Sequence, residues 1–295
     1  MPAEGCAPRK VSVGGQAVME GVMMRSPYKY AVAVRKADGT IKVMEKDFIS
    51  LAKRKKFFGL PLVRGGVALI ESLVIGMKAL NFSADEAIKQ DEKKKKENAL
   101  GGILMAVTMV LGLAAGVGIF FYLPLFVTEG LGIKGGTAFN IVDGGLRLVI
   151  FVLYLWGIGR WKEIRRVFEY HGAEHKSIFA WESEGELSPE AAVKYPRLHP
   201  RCGTSFLLFV MVISILCFMI LGKPDSTLDR VIRFLFIPVI GGIAYEVMKL
   251  SDRIRNENVG KILLWPGLKL QGLTTKEPSR DQIDVAIAAL RAVIS

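Results

Sequence analysis

The dominant pattern along this chain is a series of long apolar blocks separated by charged stretches. Four blocks are long enough to cross a bilayer as helices: residues 103–127, 139–158, 202–221 and 234–250. The second block reaches this length only if Asp143 and Arg147, one helical turn apart, pair with each other. The fourth contains Pro238, which predicts a kink. The pattern therefore predicts a mainly α, polytopic helical membrane protein with about four transmembrane helices.

The first sixty residues follow a different pattern, in which apolar and polar positions alternate. Alternation on both sides of Asp38-Gly39 predicts a β-hairpin with a tight turn at this dipeptide. A glycine-rich stretch at 14–27 precedes the hairpin and is interpreted as a strand and turn. It carries Glu20, whose role the sequence leaves open. We interpret residues 1–60 as a small N-terminal β-rich cytoplasmic region.

Residues 61–98 connect this region to the apolar blocks. A helix is expected at 61–80, but Glu71 and Ser72 interrupt its apolar run, so we predict that it does not cross the membrane and lies at the interface or packs on the bundle. Glu71 is interpreted as a functional carboxylate or, preferably, as the partner of a nearby arginine such as Arg64. The four lysines at 93–96 indicate a solvated linker, and without interleaved aromatic residues they do not indicate nucleic-acid binding.

The C-terminal tail closes with a clear helix signal. Residues 263–275 are predicted to be irregular or extended. Ser279-x-x-Gln282 is a capping box that opens an amphipathic helix. The predicted regions are thus 1–60, 61–98, 99–252 with a cytoplasmic insertion at 160–201, and 253–295.

The distribution of positive charge predicts the orientation. The 295-residue chain is 51% hydrophobic and has a net charge of +12 from 40 lysines and arginines. Only five of the basic residues lie in the loops that would face outward or in the outer part of the second span: Lys134, Arg147, Lys223, Arg230 and Arg233. The positive-inside rule then predicts a multi-pass membrane protein with both termini cytoplasmic.

Neither the cysteines nor the N-terminal residues indicate a secreted protein. Three cysteines cannot form a disulfide framework, so a reducing compartment is the simpler interpretation. Residues 1–10 have no apolar core and are not expected to act as a signal peptide.

All three histidines of the chain fall within residues 161–202. His171 and His175 lie one helical turn apart in an H-x-x-E-H order, on the same face as the apolar side chains of an amphipathic helix. A bend at Gly157 or Gly159 would lay this helix along the membrane surface. Two imidazoles at this spacing can hold one divalent ion, and H-x-x-E-H is the inverzincin signature. We therefore predict a metal site, with zinc as the expected ion.

Further ligands and a general base can be proposed from the same region. His199 and Cys202 stand three residues apart at the start of the third apolar block, and Glu246 lies near the cytoplasmic end of the fourth. Each is a candidate to complete the metal site. Glu174 precedes His175 and points in a different direction round the helix, so it is the candidate general base and not a ligand.

Four segments together carry a family resemblance: 14–27, 170–176, 199–205, and 266–271 with 273–275. The chain resembles the YqhQ-like family of bacterial membrane proteins of unknown function, often described as predicted metal-dependent enzymes, over nearly its whole length. The resemblance implies an integral membrane protein with a metal site at the histidines. It implies no established substrate.

Several functions stay open at this point. The chain could be a membrane-embedded zinc hydrolase that acts on a lipid or a membrane protein. His171, His175, His199 and Cys202 could instead close a four-ligand structural zinc, which would leave no position for water. The chain could also be a scaffold or partner-binding membrane protein, Cys202 could be a nucleophile, or the histidines could simply be buried and hydrogen-bonded. Beyond the lipid bilayer itself, no spacing identifies a substrate or an oligomeric state.

Overall fold

The structure is a computed structural model that describes residues 11, 13–88, 98–183, 187–254 and 257–295, with the backbone alone for 87–88, 98–106 and 109. The interpretation of residues 1–10 and of the lysines at 93–96 falls outside the described residues.

The N-terminal region is an antiparallel four-stranded sheet in the order β1-β2-β3-β4. The strands are β1 (Gly14–Val18), β2 (Gly21–Arg25), β3 (Lys29–Arg35) and β4 (Ile41–Asp47). Val32 pairs with Met44 in the predicted hairpin, and Gly39 in its turn has a φ of 82°. Gly39 thus supplies the left-handed backbone conformation that the turn requires. The predicted β-rich region is confirmed.

Helices form most of the rest of the described chain. They are α1 (Leu51–Arg54), α2 (Val63–Ile88), α3 (Asn98–Val117), α4 (Leu123–Gly130), α5 (Gly136–Ile158), α6 (Lys162–Ser183), α7 (Pro189–Val193), α8 (Gly203–Leu221), α9 (Thr227–Leu235), α10 (Ile237–Arg253), α11 (Asn258–Thr274) and α12 (Arg280–Ile294). A 3-10 turn at Lys56–Gly59 precedes α2, and a π-helical turn at Gly118–Tyr122 joins α3 to α4.

Five helical segments among the described residues are long and apolar enough to cross a membrane: Val63–Glu86, Val110–Gly130, Gly136–Ile158, Gly203–Leu221 and Thr227–Arg253. Four of them correspond to the predicted spans, and the polytopic helical class is confirmed. The predicted kink before Pro238 is a break at Phe236, between α9 and α10. The predicted pairing within the second span is also present, with Arg147 Nη2 at 3.0 Å from Asp143 Oδ2.

The helix at 61–80 was predicted to be too short and too polar to cross a membrane, and its length and composition contradict this. The helix extends to Ile88, and basic residues of the sheet, not Arg64, neutralise its two glutamates. Arg25 Nη2 lies 2.8 Å from Glu71 Oε2, and Lys42 Nζ lies 3.0 Å from Glu86 Oε1.

A continuous core joins the sheet to α6 and α12. Its members are buried side chains from β2, β3, α6, α7 and α12, including Met24, Ala33, Tyr170, Ile283 and Leu290. The capping box at the start of α12 is present as predicted, because Ser279 and Gln282 each bond the backbone N–H of the other. The last helix therefore completes a core that the first strands begin.

The turn between β1 and β2 is attached directly to α6. Glu20 adopts a φ of 52° and its carboxylate pairs with the Arg166 guanidinium, while the Tyr170 hydroxyl donates to Glu20 Oε2 at 3.3 Å. Burial raises the pKa of Tyr170, which keeps its hydroxyl protonated as a donor. Glu20, whose role the sequence left open, thus connects the sheet to α6.

Residues 263–275 were predicted to be irregular or extended, and this was wrong. They belong to α11, which continues through Pro266. Close packing on α8 explains why a helix forms here: a Cβ on Gly267 would lie 2.6 Å from Ser205 Oγ. The two helices therefore approach closely only because residue 267 has no side chain.

Candidate metal centre

His171 and His175 lie on the buried side of α6, as the helical spacing predicts. The two ring centroids are 4.5 Å apart, and His175 is only 2% exposed. The break before α6 falls where a bend was expected, since α5 ends at Ile158 and is capped by Gly159. Gly172 sits between the histidines and permits a close approach, because a Cβ there would lie 2.1 Å from the carbonyl oxygen of Lys276.

Cys202 brings a third donor to the two imidazoles. It is the N-cap of α8, and its Sγ lies 3.2 Å from His171 Nε2. The donor atoms of His171, His175 and Cys202 all lie within 4.8 Å of one another. Two nitrogens and one sulfur are borderline-soft donors of the kind that zinc and other late first-row metals accept. The donor set therefore fits a divalent metal ion.

Hydrogen bonds on the far side of each ring determine which nitrogen is available. His171 Nδ1 lies 2.9 Å from the Thr274 carbonyl, and His175 Nδ1 lies 2.5 Å from the Arg197 carbonyl. A carbonyl oxygen can only accept, so each Nδ1 carries the proton and donates. Each Nε2 then bears the lone pair, which is the arrangement found behind metal-ligating histidines. Burial lowers the pKa of His175, which also favours the neutral ring.

Glu174 lies beside this group with one oxygen uncommitted. Its side chain is buried, and Oε2 has no hydrogen-bond partner among the residues that the structure describes. The same Oε2 is 4.0 Å from His171 Nε2. Gly15, in β1, packs against the carboxylate, since a Cβ there would lie 2.9 Å from Glu174 Cδ. Burial raises the pKa of Glu174, while His171, His199 and the Gly15 backbone act in the opposite direction.

His199 lies next to the three donors but outside their group. Its ring centroid is 5.7 Å from that of His175, and its Nε2 is 3.6 Å from Glu182 Oε2. Its Nδ1 accepts from the backbone N–H of Arg201 at 3.3 Å. Gln271 of α11 holds the backbone of His199 from both sides, accepting from its N–H and donating to its carbonyl at 2.8 Å each. His199 is therefore held as a neighbour of the centre by α11.

Glu246 is not brought to the histidines. Its carboxylate accepts from both Nε and Nη2 of Arg64 in α2, and Nε is 2.6 Å from Oε1. Arg64 had been expected to pair with Glu71. Each glutamate takes a different arginine because the glycine-lined contact of α2 with α10 places Arg64 beside Glu246, and the sheet presents Arg25 to Glu71.

The four motifs that carried the family resemblance meet at this one place. The first supplies Gly15, the second the H-x-x-E-H residues, the third Cys202, and the last Gln271 and the Thr274 carbonyl. Sequence reasoning did not assign a role to Gly15, Gln271 or Thr274. Their membership in the motifs was the available signal, but backbone contacts have no signature in side-chain chemistry.

With this geometry in hand, comparison with known proteins is informative. Residues 60–295 match the family described as a protein of unknown function, DUF1385. The chain belongs to this family. It is also 34% identical over 300 residues to the uncharacterized protein YqhQ of Bacillus subtilis (strain 168), covering 95% of this chain and 92% of that protein. No solved structure matches the chain. The family membership fits the resemblance seen in the sequence and supplies no reaction.

Proposed function

We propose that this protein is a metal-dependent membrane enzyme, a hydrolase, with one zinc ion held by His171, His175 and Cys202. Glu174 is its general base. The observation that carries the proposal is the pairing of a three-donor group with a buried carboxylate oxygen that has no partner among the described residues. A structural role alone gives no reason to bury an uncommitted carboxylate there, since burial without a hydrogen bond is costly.

The number of donors supports a catalytic site over a structural one. Structural zinc sites are closed by four protein ligands, whereas catalytic sites use three and keep a position for water or substrate. His199, the fourth candidate, lies outside the donor group, with its Nδ1 accepting from the backbone N–H of Arg201 and its Nε2 at 3.6 Å from Glu182 Oε2 of α6. Glu246 is engaged by Arg64. The geometry therefore provides three donors, two from α6 and one from the N-cap of α8.

Each residue of the site then has a separate role in hydrolysis. A bound divalent ion supplies Lewis acidity to the substrate and to the attacking water. Glu174 Oε2 accepts the proton that the water loses and later returns it to the leaving group. Gly15 holds the other part of the carboxylate in place, and the Thr274 and Arg197 carbonyls fix the two imidazoles. Apolar packing round α6 keeps bulk water away from the base.

The contacts of the sheet with α6 and α12 support four membrane crossings. Helices α6 and α12 both pack on the sheet, so the three lie on one side of the membrane. Only an even number of crossings can join the sheet to α6, yet three candidate spans lie between them. In α2, Ile75 and Ala79 are buried with the sheet residues Val18 and Val32. The second half of α2 is thus attached to the sheet, and α2 is the candidate that does not cross.

Four crossings give a metal centre on the cytoplasmic side. Most lysines and arginines fall on the side of the sheet, α6 and α12, and by the positive-inside rule this side is the cytoplasm. Cys202 begins α8, so the centre lies where that span enters the membrane. A substrate that reaches it comes from the cytoplasm or from the inner leaflet, which is consistent with a lipid or a membrane-protein substrate.

One observation favours a second function, a zinc-stapled scaffold. Cys202 is only 4% exposed and His175 only 2%. A metal shared by α6 and the start of α8 would fasten the cytoplasmic core to the membrane bundle. In that case Glu174 does no chemistry, and the two functions predict different results for a change at Glu174.

The test is Glu174→Gln, which keeps the shape of the side chain and removes the base. We expect the purified full chain to retain about one zinc per chain by elemental analysis, and the variant to fail to restore function in cells that lack the protein. His171→Ala is the matched comparison, and it should lose both metal and function. Full complementation by Glu174→Gln with metal retained would reject the hydrolase and favour the staple.

A further inference from the structure

A second polar cluster is buried at the opposite end of α8 from Cys202. Arg233 of α9 donates to Asn140 Oδ1 at 2.7 Å and also bonds the Gly222 carbonyl. Asn140 Nδ2 donates to the Phe218 carbonyl at 2.8 Å. Arg147 pairs with Asp143 one turn away on α5, at 3.0 Å. Both guanidinium groups lie over the Phe218 ring, with centroid distances of 5.7 Å for Arg147 and 4.8 Å for Arg233.

Both guanidinium groups of this cluster keep an unused donor. Asp143 pairs with Arg147, Asp229 stands one helical turn before Arg233 on α9, and the adjacent Arg230–Glu129 pair is neutral by itself. Arg147 Nε and Arg233 Nη1 are both buried and have no hydrogen-bond partner in the part of the chain that the structure describes. The Arg233 side chain is only 3% exposed. A buried cation with an unsatisfied N–H is costly in an apolar medium, so an anion that accepts from it would stabilise the site.

A narrow apolar groove begins at Arg147 and continues along the helices. It has a volume of about 290 Å³, and α8 lines it with one face: Leu207, Val210, Met211, Ser214 and Phe218. Leu207 and Phe218 are eleven residues apart, which corresponds to about 16 Å at the rise of an α-helix. Aromatic rings of the π-helical turn and of α5 also line the groove. Among the described residues that line it, Arg147 is the only charged one.

We propose that this groove binds an anionic phospholipid. The phosphate accepts from the unsatisfied donor of Arg147, the charged residue of the lining, and one acyl chain lies in the groove from Phe218 toward Leu207. The charge at one end and the apolar lining over the rest match an amphipathic anion. Guanidinium groups suit phosphate because their planar N–H donors meet two oxygens at once. A lipid is the occupant because the groove lies between candidate membrane spans and is open to acyl chains along its length.

This site stands apart from the metal centre and does not depend on it. In the four-crossing arrangement, the Arg147 end faces the outer leaflet and the metal centre faces the cytoplasm. The lipid would therefore be bound from the leaflet opposite to the proposed active site.

The experiment uses the full chain, purified in detergent and stripped of lipid, in native mass spectrometry. Phosphatidylglycerol and phosphatidylcholine with identical acyl chains are the probes, and inorganic phosphate is the competitor. The unmodified chain should bind phosphatidylglycerol about tenfold more tightly than phosphatidylcholine, as expected for one charge-assisted hydrogen-bonded contact. Inorganic phosphate should not displace it, since the acyl chain supplies part of the binding.

Two variants and a control make the result decisive. The double variant Asp143→Asn/Arg147→Met removes one charge of each sign, and Ser214→Phe fills the groove without touching the charges. Both variants should lose binding of phosphatidylglycerol. The control Leu216→Phe should keep it, because Leu216 is on the same helix but is 55% exposed and does not line the groove. If the double variant fails to fold, Ser214→Phe decides. Equal binding of the two lipids, displacement by phosphate, or unchanged binding in Ser214→Phe would overturn the proposal.

Discussion

Gly15 of the first strand packs directly against the carboxyl group of Glu174, so the N-terminal sheet positions the proposed base of a site on α6. The contact needs a glycine, because a Cβ at residue 15 would lie 2.9 Å from Glu174 Cδ and 2.7 Å from the Met23 carbonyl. The sheet is therefore part of the site and not merely a neighbouring domain.

Replacing Gly15 by alanine should displace Glu174 without removing a metal ligand. We expect a loss of stability of about 1–3 kcal/mol, the usual cost of overpacking, together with reduced complementation in cells. Metal content should be retained. Gly14→Ala is the matched control, because a Cβ at residue 14 has no atom within 4 Å of it in the described structure. Elemental analysis, thermal unfolding and complementation of the two variants, measured in parallel, check this; equal behaviour would contradict it.

The three-donor centre predicts which substitutions remove the metal. His171→Ala, His175→Ala and Cys202→Ser should each reduce bound zinc to well below one per chain. His199→Ala should keep it, because His199 is outside the group of donors. Cobalt substitution adds a second readout, since a thiolate-to-cobalt charge-transfer band should be present in the unmodified chain and absent in Cys202→Ser. Loss of metal in His199→Ala would indicate a four-ligand structural site instead.

The four-crossing topology predicts the accessibility of single cysteines. In a background without Cys6 and Cys217, cysteines at Lys134 and Asp225 should react with an impermeant thiol reagent from outside the cell. Cysteines at Thr40 and Glu277 should react only after the membrane is made permeable. Cys202 stays in place and is buried, so the parent protein serves as the background measurement. Outside labelling at Thr40, or its failure at Lys134, would contradict this arrangement.

Gly172 predicts a sharp difference between two glycine substitutions. A Cβ there would lie 2.1 Å from the Lys276 carbonyl, so Gly172→Ala should push the segment after α11 away from α6 and destabilise the protein by about 1–3 kcal/mol. Gly272→Ala in α11 meets nothing within 4 Å among the described atoms, and should be neutral or stabilising by up to about 1 kcal/mol through helix propensity. Thermal unfolding of both purified variants is the measurement. Similar melting of the two would contradict the close contact.

Much of the fold could be predicted because its signals are local. Apolar length predicted the spans, Asp38-Gly39 the hairpin, and Ser279 with Gln282 the last helix. The failures are places where a distant partner decided the outcome. Glu71 was expected to pair with Arg64, but Arg25 of the sheet neutralises it. Residues 263–275 were predicted to be irregular or extended, yet packing on α8 sustains a helix through Pro266.

Three of the five candidate ligands lie together as predicted, two lie apart, and the residues that support the group were missed. Helical spacing places His171 beside His175, and Cys202 follows at the start of a span, so side-chain chemistry was enough to suggest a metal site. The pairing of Glu246 with Arg64 depends on how α2 crosses α10, which no local pattern reveals. The carbonyls behind the two histidines belong to residues 197 and 274, and any residue type offers a carbonyl.

The position of α12 has a consequence for biosynthesis. Residues 280–294 fill part of the core on one face of β2 and β3, so that face of the sheet lacks part of its hydrophobic covering until α12 has been synthesised. The intervening spans are synthesised first. That face of the N-terminal strands therefore stays partly exposed while the membrane region is made, although α2 and α6 can already pack on the sheet. A fusion or truncation at the C-terminus should consequently damage the first strands before it damages the spans.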